Sequence, residues 1–265
     1  MSIVTANHAW LYSVSDMLHS GKDVAPRGQK TKEIVGESIS FDMNHPICYH
    51  QDRKLNYSFM AAEAYWIVSG SMFVEDIAPY NKHISQFSDD KYIFNGAYGP
   101  KFVYQLDYVV NALLRDSSTR QAVMSIWVNN PMRTADYPCT LNLQWLLRDN
   151  KLHCIVNMRS NDLWLGRPYD LFNFTIMTLR VLCMYNQLRT DEGRITELGT
   201  LRLNVGSGHL YEQHYEQEAL LATVEPDKIT SEVPITALYN WRFVVESLLA
   251  CRDKSNVNGL WGIRP

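Results

Sequence analysis

Residues 141–159 constrain the fold most, because apolar and polar positions alternate on both sides of a short turn. The apolar positions are Leu141, Leu143, Trp145 and Leu147 before the turn, and Leu152, Cys154, Val156 and Met158 after it. Alternation with a period of two places one set of side chains on one face of a strand. The polar residues 148–151 are typical of the turn that connects two such strands. The sequence therefore predicts a β-hairpin with one buried face.

The rest of the chain mixes both element types without regular alternation. Apolar residues recur at helical spacing in 8–19, 58–69, 102–115 and 171–188, and 209–222 reads as a more polar helix. Short strands are predicted at 37–43 and 121–128, and loops at 20–32 and 81–91. Gly21 and Gly70 end the first two helices. We expect one α+β domain over 1–265, with a largely antiparallel or mixed sheet.

Composition excludes several classes of protein. The net charge is -3, so no basic excess points to nucleic acid or an anionic membrane. No run of about 18 apolar residues predicts a membrane-spanning helix, and the first residues lack the features of a signal peptide. The five cysteines form no Cys-x-x-Cys pair, and His209 and His214 lack metal-ligand spacing. We therefore expect a cytoplasmic protein with no metal, nucleic-acid partner or membrane.

Cys139 and Arg159 are the first candidates for chemistry. Cys139 stands at the edge of the predicted hairpin, where an exposed thiol beside a cation would be a nucleophile. Arg159 ends the second strand, so the hairpin brings both residues to the same end. A guanidinium there could support the thiolate or bind a phosphate. The alternatives are a small buried side chain at Cys139 and a surface turn after Arg159.

Three other residues also suggest a site. Glu63 is the charged residue of an otherwise apolar helix, so it either reaches solvent or handles protons and water in a polar site. His209 and Tyr211 lie two apart, which on an extended segment puts both on one face, where they could bind a sugar hydroxyl. A capped helix start at His209 is the other interpretation.

Four blocks of sequence resemble the thymidylate synthase family, and more closely its deoxycytidylate hydroxymethylase branch known from bacteriophages. They cover most of the chain, from about residue 20 to 220. The blocks are Glu63-Ala-Tyr-Trp-Ile-Val-Ser-Gly70; Asn95-Gly-Ala-Tyr98-Gly99; Pro138-Cys139 with Arg159-Ser160-Asn-Asp162-Leu-Trp-Leu-Gly166-Arg-Pro-Tyr-Asp170; and Gly206-Ser-Gly-His209-Leu-Tyr211-Glu-Gln-His214.

This resemblance implies a homodimeric α+β enzyme that adds a one-carbon unit to C5 of a pyrimidine nucleotide, with 5,10-methylenetetrahydrofolate as the carbon donor. Cys139 would attack C6 of the base, Glu63 would organise water, and Tyr98 would assist proton removal at C5. The binding residues that the resemblance implies are Arg159, Ser160, Arg27 and, across the dimer interface, Arg120 for phosphate; His209 and Tyr211 for the ribose; and Asp162, Gly166 and Ile84 for the folate.

The departure from the family at Asp170 points to the base. Thymidylate synthases carry asparagine there, which suits O4 and N3–H of uracil. A carboxyl group accepts from N4–H₂ of cytosine and shares a proton with N3, so the resemblance implies a cytidylate substrate. The alternative is that Asp170 only caps the following helix.

Other departures favour the hydroxymethylase branch. Ile84 or Phe87 stands where thymidylate synthases have a tryptophan against the folate, and Gln121 stands where they have a second interface arginine. Thr140 replaces the family's histidine and Met158 its glutamine. The tail 258–265 does not resemble the closing tail of the synthases. We expect water addition that gives 5-hydroxymethyl-dCMP, in the host cytoplasm if the source is viral. The open alternatives are methylation of dCMP, hydroxymethylation of CMP or dUMP, thymidylate synthesis, and an inert nucleotide-binding homologue.

Overall fold

The computed structural model describes residues 4–50, 53–129, 132–190, 193–216, 231–254 and 260–261. The predicted hairpin is confirmed: β4 (Thr140–Arg148) pairs antiparallel with β5 (Lys151–Asp162). The turn residues Asp149 and Asn150 both have positive φ, at 52° and 58°. These two residue types tolerate that conformation, and two such residues match the twist of the flanking strands.

A six-stranded sheet contains this hairpin, in the order β1-β2-β6-β5-β4-β3 within the described residues. The other strands are β1 (Lys22–Val24), β2 (Thr31–Asp42), β3 (Val123–Ser125) and β6 (Glu197–Tyr211). Strands β5 and β6 run parallel and the other neighbours run antiparallel. The expected mixed sheet of an α+β fold is therefore confirmed.

Helices pack against the sheet and against one another. They are α1 (Ala6–Ser20), α2 (Tyr57–Val68), α3 (Val74–Ile77), α4 (Gly99–Arg115), α5 (Arg167–Leu188) and α6 (Trp241–Arg252). Helix α5 is almost wholly buried because α1, α2, α4 and α6 all pack on it. It follows β5 directly, so its first turns lie at the carboxyl end of that strand.

Local sequence explains where these helices begin and end. The Asn56 side chain accepts a hydrogen bond from the Phe59 amide (3.0 Å) at the start of α2, and Asn240 accepts one from Phe243 (3.1 Å) at the start of α6. Gly70 follows α2 with φ of 83°, as the sequence predicted for a helix end. Among the described helices, none is long and apolar enough to cross a membrane.

Three segments differ from the sequence predictions. The predicted loop 20–32 contains β1 and the start of β2, with a 3₁₀ turn at Pro26–Gly28 between them. The predicted strand 121–128 is reduced to Val123–Ser125. The predicted helix from 209 is wrong at its start, because β6 continues to Tyr211, where it still pairs with β2, and 3₁₀ residues follow at Glu212–His214. Residues 217–222 of that prediction lie outside the described residues.

Candidate active site

Cys139 lies just before β4 and beside the end of β5. The Arg159 amide donates a hydrogen bond to the Cys139 carbonyl (2.8 Å), so the hairpin ladder fixes the two residues side by side. The Ser160 hydroxyl donates to Cys139 Sγ at 3.8 Å. Cys139 is half-buried, whereas the other four cysteines are buried. The structure therefore brings Cys139, Arg159 and Ser160 together, as the sequence predicted.

Opposing influences set the protonation of this thiol. Burial raises its pKa most strongly, and the Arg159 guanidinium and the Ser160 hydroxyl lower it. The carboxyl groups of Asp170 and Asp136 raise it further. The net pKa lies above that of an ordinary thiol, so the resting group is the protonated form. A nearby proton acceptor is needed before Sγ can attack a carbon.

Arg159 is anchored to the backbone that leads into Cys139. Its Nε donates to the Pro138 carbonyl (3.0 Å) and Nη2 to the Tyr137 carbonyl (3.1 Å). Its Nη1 donates to Ser160 Oγ at 3.1 Å. The side chain is nevertheless exposed. This arrangement presents a fixed guanidinium to solvent beside Cys139, as an anion-binding arginine requires.

Tyr98 stands on the other side of Cys139, at the start of α4. Its hydroxyl oxygen accepts a hydrogen bond from the Thr140 amide at 3.2 Å. Burial raises the pKa of the phenol well above its usual value, and the neighbouring Cys139 and Asp170 raise it further. Tyr98 is therefore a neutral phenol near Cys139, and it keeps an O–H to donate.

Two carboxyl groups on different helices extend this cluster: Asp170 acts electrostatically on Cys139 and Tyr98, and Glu63 acts on Asp170. Burial raises the pKa of Glu63 on α2 to about 7, against a hydrogen bond from Asn173 that lowers it. Burial, and then the charge of Glu63, raise the pKa of Asp170 on α5 to about 8, against the hydrogen bond from Asn161 and the charge of Arg167. Both groups can hold or release a proton near neutral pH, which suits acid–base chemistry.

The alternative interpretation of Asp170 as a helix cap is wrong. Helix α5 begins at Arg167 with Gly166 as its cap residue. The Asp170 amide donates to the Gly166 carbonyl (3.0 Å), so Asp170 lies inside the first turn. A Cβ atom on Gly166 would lie 3.2 Å from Asp170 Oδ2. The glycine therefore leaves room for this carboxyl group, a role that the sequence did not suggest.

Four residues that shape the site were not recognised as site residues from the sequence. Arg167 is fully buried and pairs with Glu37, with Nη1–Oε1 and Nη2–Oε2 distances of 2.6 Å. Its Nε donates to Asn161 Oδ1 (2.7 Å), and Asn161 Nδ2 donates to Asp170 Oδ2 (2.7 Å). Asn173 Nδ2 donates to Glu63 Oε2 at 2.7 Å.

A local signal for part of this network was present. Arg167, Asp170 and Asn173 recur every third residue in an apolar helix, a spacing that puts them on one face. Glu37 had no such signal, because it lies 130 residues before its partner.

The carboxyl ends of β5 and β6 bring the remaining polar candidates together. Asp162 is paired in register with His209, and the His209 and Tyr211 rings are 5.3 Å apart on one face of β6. Asp162 Oδ1 accepts from the amides of Trp164 and Leu165, at 2.8 Å each. Oδ1 accepts both of these hydrogen bonds. No described residue donates a hydrogen bond to Oδ2, so this oxygen is available to a ligand.

Comparison with known proteins accounts for this arrangement. A family model described as thymidylate synthase matches residues 8–240. The chain belongs to the thymidylate synthase family. The matched span contains all the candidate residues, from Arg27 to Tyr211.

A phage protein is also similar. The deoxyuridylate hydroxymethyltransferase of Bacillus phage SP01 is 37% identical over an alignment of 177 residues, and the match covers 58% of this chain and 45% of that protein. The chain thus matches less than half the length of this relative.

Among the described residues of this thymidylate synthase family member, three candidates form no hydrogen bond with Cys139, Arg159 or Ser160. Arg27 lies in the exposed turn Pro26–Gly28, with φ of 54°. Ile84 is half-buried in the 3₁₀ helix Ile84–Phe87. The carbonyl of exposed Arg120 accepts a hydrogen bond from Gln144 Nε2 (2.9 Å). Gln144 is five residues after Cys139, which corresponds to roughly 16 Å along an extended strand at about 3.3 Å per residue. The assignments of Arg27 and Ile84 stay predictions, as does the role of Arg120 across a dimer interface.

Two further features bear on ligands of the family. Arg115 and Arg120 line a cavity of about 310 Å³ at the end of α4. In the part of the chain that the structure describes, no group of three or more His, Cys, Asp or Glu side chains could hold a metal ion.

Proposed function

We propose that this protein transfers a one-carbon unit to C5 of deoxycytidylate and adds water, giving 5-hydroxymethyl-dCMP. One observation carries the proposal: a half-buried Cys139 touches Ser160 and lies beside Arg159 and near Asp170, which in turn lies near Glu63, and burial raises the pKa of both carboxyl groups to near neutral. Membership of the thymidylate synthase family supports one-carbon transfer to a pyrimidine nucleotide. The name of the phage relative supports water addition.

Cys139 is the nucleophile of the proposed reaction. C5 of an aromatic pyrimidine is a poor nucleophile, and a bond from Sγ to C6 moves electron density onto C5. The thiol proton must leave as that bond forms, because its pKa is raised in the free protein. Arg159 and Ser160 stabilise the thiolate, and Arg159 also binds the nucleotide phosphate. Tyr98 assists removal of the C5 proton after the carbon is attached.

Methylenetetrahydrofolate supplies the carbon in this proposal. The pterin ring presents N–H donors, and the available Asp162 Oδ2 is an acceptor that suits them. His209 and Tyr211, on the neighbouring strand, bind the ribose hydroxyl. Arg120, Arg27 and Ile84 keep the roles that the sequence predicted, as further phosphate contacts and a folate contact. The active form is a homodimer, and a viral source would place the enzyme in the host cytoplasm.

Asp170 supports cytosine as the base. At neutral pH its carboxyl group is largely protonated, since its pKa lies at about 8. The protonated group can donate to N3 of cytosine and accept from N4–H₂. Asparagine at this position would offer the same edge of cytosine an amide that cannot share a proton with N3. Proton sharing with N3 also assists attack at C6.

Deoxyuridylate is the second candidate substrate. The phage relative is named for it, and a protonated carboxyl group can equally donate to O4 and accept from N3–H of uracil. The two assignments differ only in which oxygen of Asp170 faces position 4 of the ring.

Glu63 is proposed to position the water that adds to the new carbon. Its buried carboxyl group can take a proton from water near neutral pH. Water at that carbon gives hydroxymethyl, whereas hydride from the folate would give methyl and dihydrofolate.

One assay tests these assignments together. The purified protein is incubated with methylenetetrahydrofolate and, separately, dCMP, dUMP and CMP, and product mass is read together with the absorbance of dihydrofolate. A dCMP product heavier by CH₂O, without dihydrofolate, supports the proposal. A gain of CH₂ with dihydrofolate would instead show methylation, and hydroxymethyl-dUMP would favour the second candidate.

A separate measurement distinguishes an active enzyme from a protein that only binds nucleotide. A 5-fluoropyrimidine nucleotide with the folate should give a covalent mass adduct on Cys139. The adduct should be absent if the protein only binds nucleotide.

A further inference from the structure

A fully buried arginine stands behind the base-reading carboxyl group. Arg167 is 0% exposed and uses three nitrogens: Nη1 and Nη2 pair with Glu37, and Nε donates to Asn161 Oδ1. A buried charge is stable only when it is paired and hydrogen-bonded, and Arg167 meets both conditions. We call Glu37, Arg167 and Asn161 the relay.

The space for this relay is built into β6. A Cβ atom on Gly208 would collide with Glu37 Oε2 and lie 3.3 Å from Arg167 Nη2. Glycine at this position therefore admits the ion pair between β2 and α5. Asn161 itself is 3% exposed, so water does not compete for its amide.

The chemistry of arginine fixes which way the Asn161 amide points. A guanidinium only donates hydrogen bonds, so the atom that faces Nε must be the amide oxygen. The amide nitrogen must then face Asp170, where it donates to Oδ2 at 2.7 Å. Asp170 Oδ2 is thereby held as an acceptor. A protonated Asp170 then carries its proton on Oδ1, because the carbonyl oxygen of a carboxylic acid is the better acceptor.

This fixed polarity distinguishes the two bases. The bond from Cys139 to C6 sets the orientation of the ring in the site, so each oxygen of Asp170 faces one ring position. An oxygen that only accepts suits N4–H₂ of cytosine if it faces position 4. It suits N3–H of uracil if it faces position 3. With the proton free to sit on either oxygen, the same carboxyl group would accept both bases.

We propose that the relay of Glu37, Arg167 and Asn161 determines base selectivity by fixing the proton of Asp170 on Oδ1. The relay residues position Asp170 and do not themselves contact the nucleotide. This inference rests on the proposed function insofar as it takes the ligand to be a pyrimidine nucleotide. It holds for either base, because releasing the relay should remove discrimination whichever nucleotide the wild-type protein prefers.

The test compares variants that release the relay with one that keeps it. In E37Q/R167Q no buried charge is left unpaired. The glutamine amide introduced at position 167 can donate or accept a hydrogen bond, so the Asn161 amide can rotate to the opposite orientation. E37M/R167M releases the amide in a second way and guards against misfolding of the first variant, since apolar replacements of a buried ion pair are often well tolerated. In R167K the ammonium group still only donates, so the orientation of Asn161 is kept.

Two readouts separate this inference from the proposed function. Calorimetry gives the Kd values of dCMP and dUMP without folate, and turnover gives the ratio of their kcat/KM values. Thermal melting and the rate of Cys139 alkylation report folding. If the wild-type protein binds one base selectively but shows no turnover, the proposed function is refuted and the inference about base selectivity stands.

We expect the ratio of the two affinities to fall at least about tenfold in both released variants, toward equal binding, and to stay within about threefold of wild type in R167K. A purely structural role would weaken both nucleotides equally and leave the ratio unchanged. An unchanged ratio in a folded released variant, the same collapse in R167K, or a wild-type protein that binds both bases equally or neither would overturn the proposal.

Discussion

Replacing Asp170 with asparagine should stabilise the protein, and the gain should grow with pH. In the folded protein the pKa of Asp170 lies at about 8, raised first by burial and then by the charge of Glu63. In the unfolded chain an aspartate titrates near its usual value of about 3.9. Between these values the unfolded chain ionises while the folded protein does not, so folding stability falls as pH rises from about 4 to about 8. Asparagine does not ionise, and D170N escapes this loss.

The magnitude follows from the same two pKa values. Each pKa unit corresponds to about 1.4 kcal/mol, so a fully buried Asp170 would cost about 4 kcal/mol more at pH 8 than at pH 5. Asp170 keeps partial contact with solvent, which reduces this value to about 2 kcal/mol. For a protein of this size that corresponds to a difference in Tm of about 4–8 °C. The amide oxygen introduced by D170N can still accept the hydrogen bond from Asn161, so that contact does not offset the gain.

Thermal unfolding between pH 5 and pH 9, at one protein concentration, checks this prediction. The difference in Tm between D170N and wild type should widen up to about pH 8 and then level off. D107N, which changes an exposed aspartate of α4, is the matched control and should show a constant difference. A D170N difference that is independent of pH, or that shrinks as pH rises, would refute the reasoning about Asp170.

Three further predictions concern the nucleophile, the water and the relay. C139S should bind nucleotide but form no covalent adduct with a 5-fluoropyrimidine nucleotide and folate, as read by protein mass; an adduct on C139S would disprove the assignment of the nucleophile. E63Q should lower product formation about 10²-fold with a smaller change in nucleotide Kd, because it removes a proton acceptor and keeps the shape; unchanged product formation would exclude the role of Glu63. G208A should destabilise the protein by about 3 kcal/mol in denaturant unfolding, because the new Cβ displaces Glu37 from Arg167, and a neutral result would show that the pair can shift.

The sequence predicted those parts of the site that depend on neighbours along the chain. The hairpin followed from alternation and from the turn residues Asp149 and Asn150, and it fixes Arg159 beside Cys139. The spacing of these two residues was therefore enough to place Cys139 and a cation together. The burial that raises the pKa of this thiol comes from the surrounding fold, which a local pattern does not contain.

Long-range packing determined what the sequence did not predict. Strand β6 runs to Tyr211 because it pairs with β5 as far as His209 and with β2 as far as Tyr211, and polar residues with three glycines obscure its alternation. Glu37 gave no local signal, since its partner Arg167 lies 130 residues away. The resemblance to a family found Asp170, yet the hydrogen bonds that link it through Asn161 to Arg167 and Glu37 were visible only in the structure.

Two asparagines, Asn161 on β5 and Asn173 on α5, contact carboxyl groups of the candidate site in different ways. The Asn161 amide is fixed from behind by Arg167, so Asp170 offers a ligand one constant pattern of donor and acceptor. The Asn173 amide donates to Glu63, but its own buried Oδ1 has no hydrogen-bond partner among the described residues.

Nothing in the described part of the chain therefore fixes Asn173 as Arg167 fixes Asn161. A fixed polarity suits recognition, because a wrong base leaves a buried group unpaired. An amide without such a lock suits proton handling, because Glu63 can change its protonation state without breaking a second buried bond. We therefore propose different tasks for these two carboxyl groups of similar pKa: base selection for Asp170 and proton transfer for Glu63.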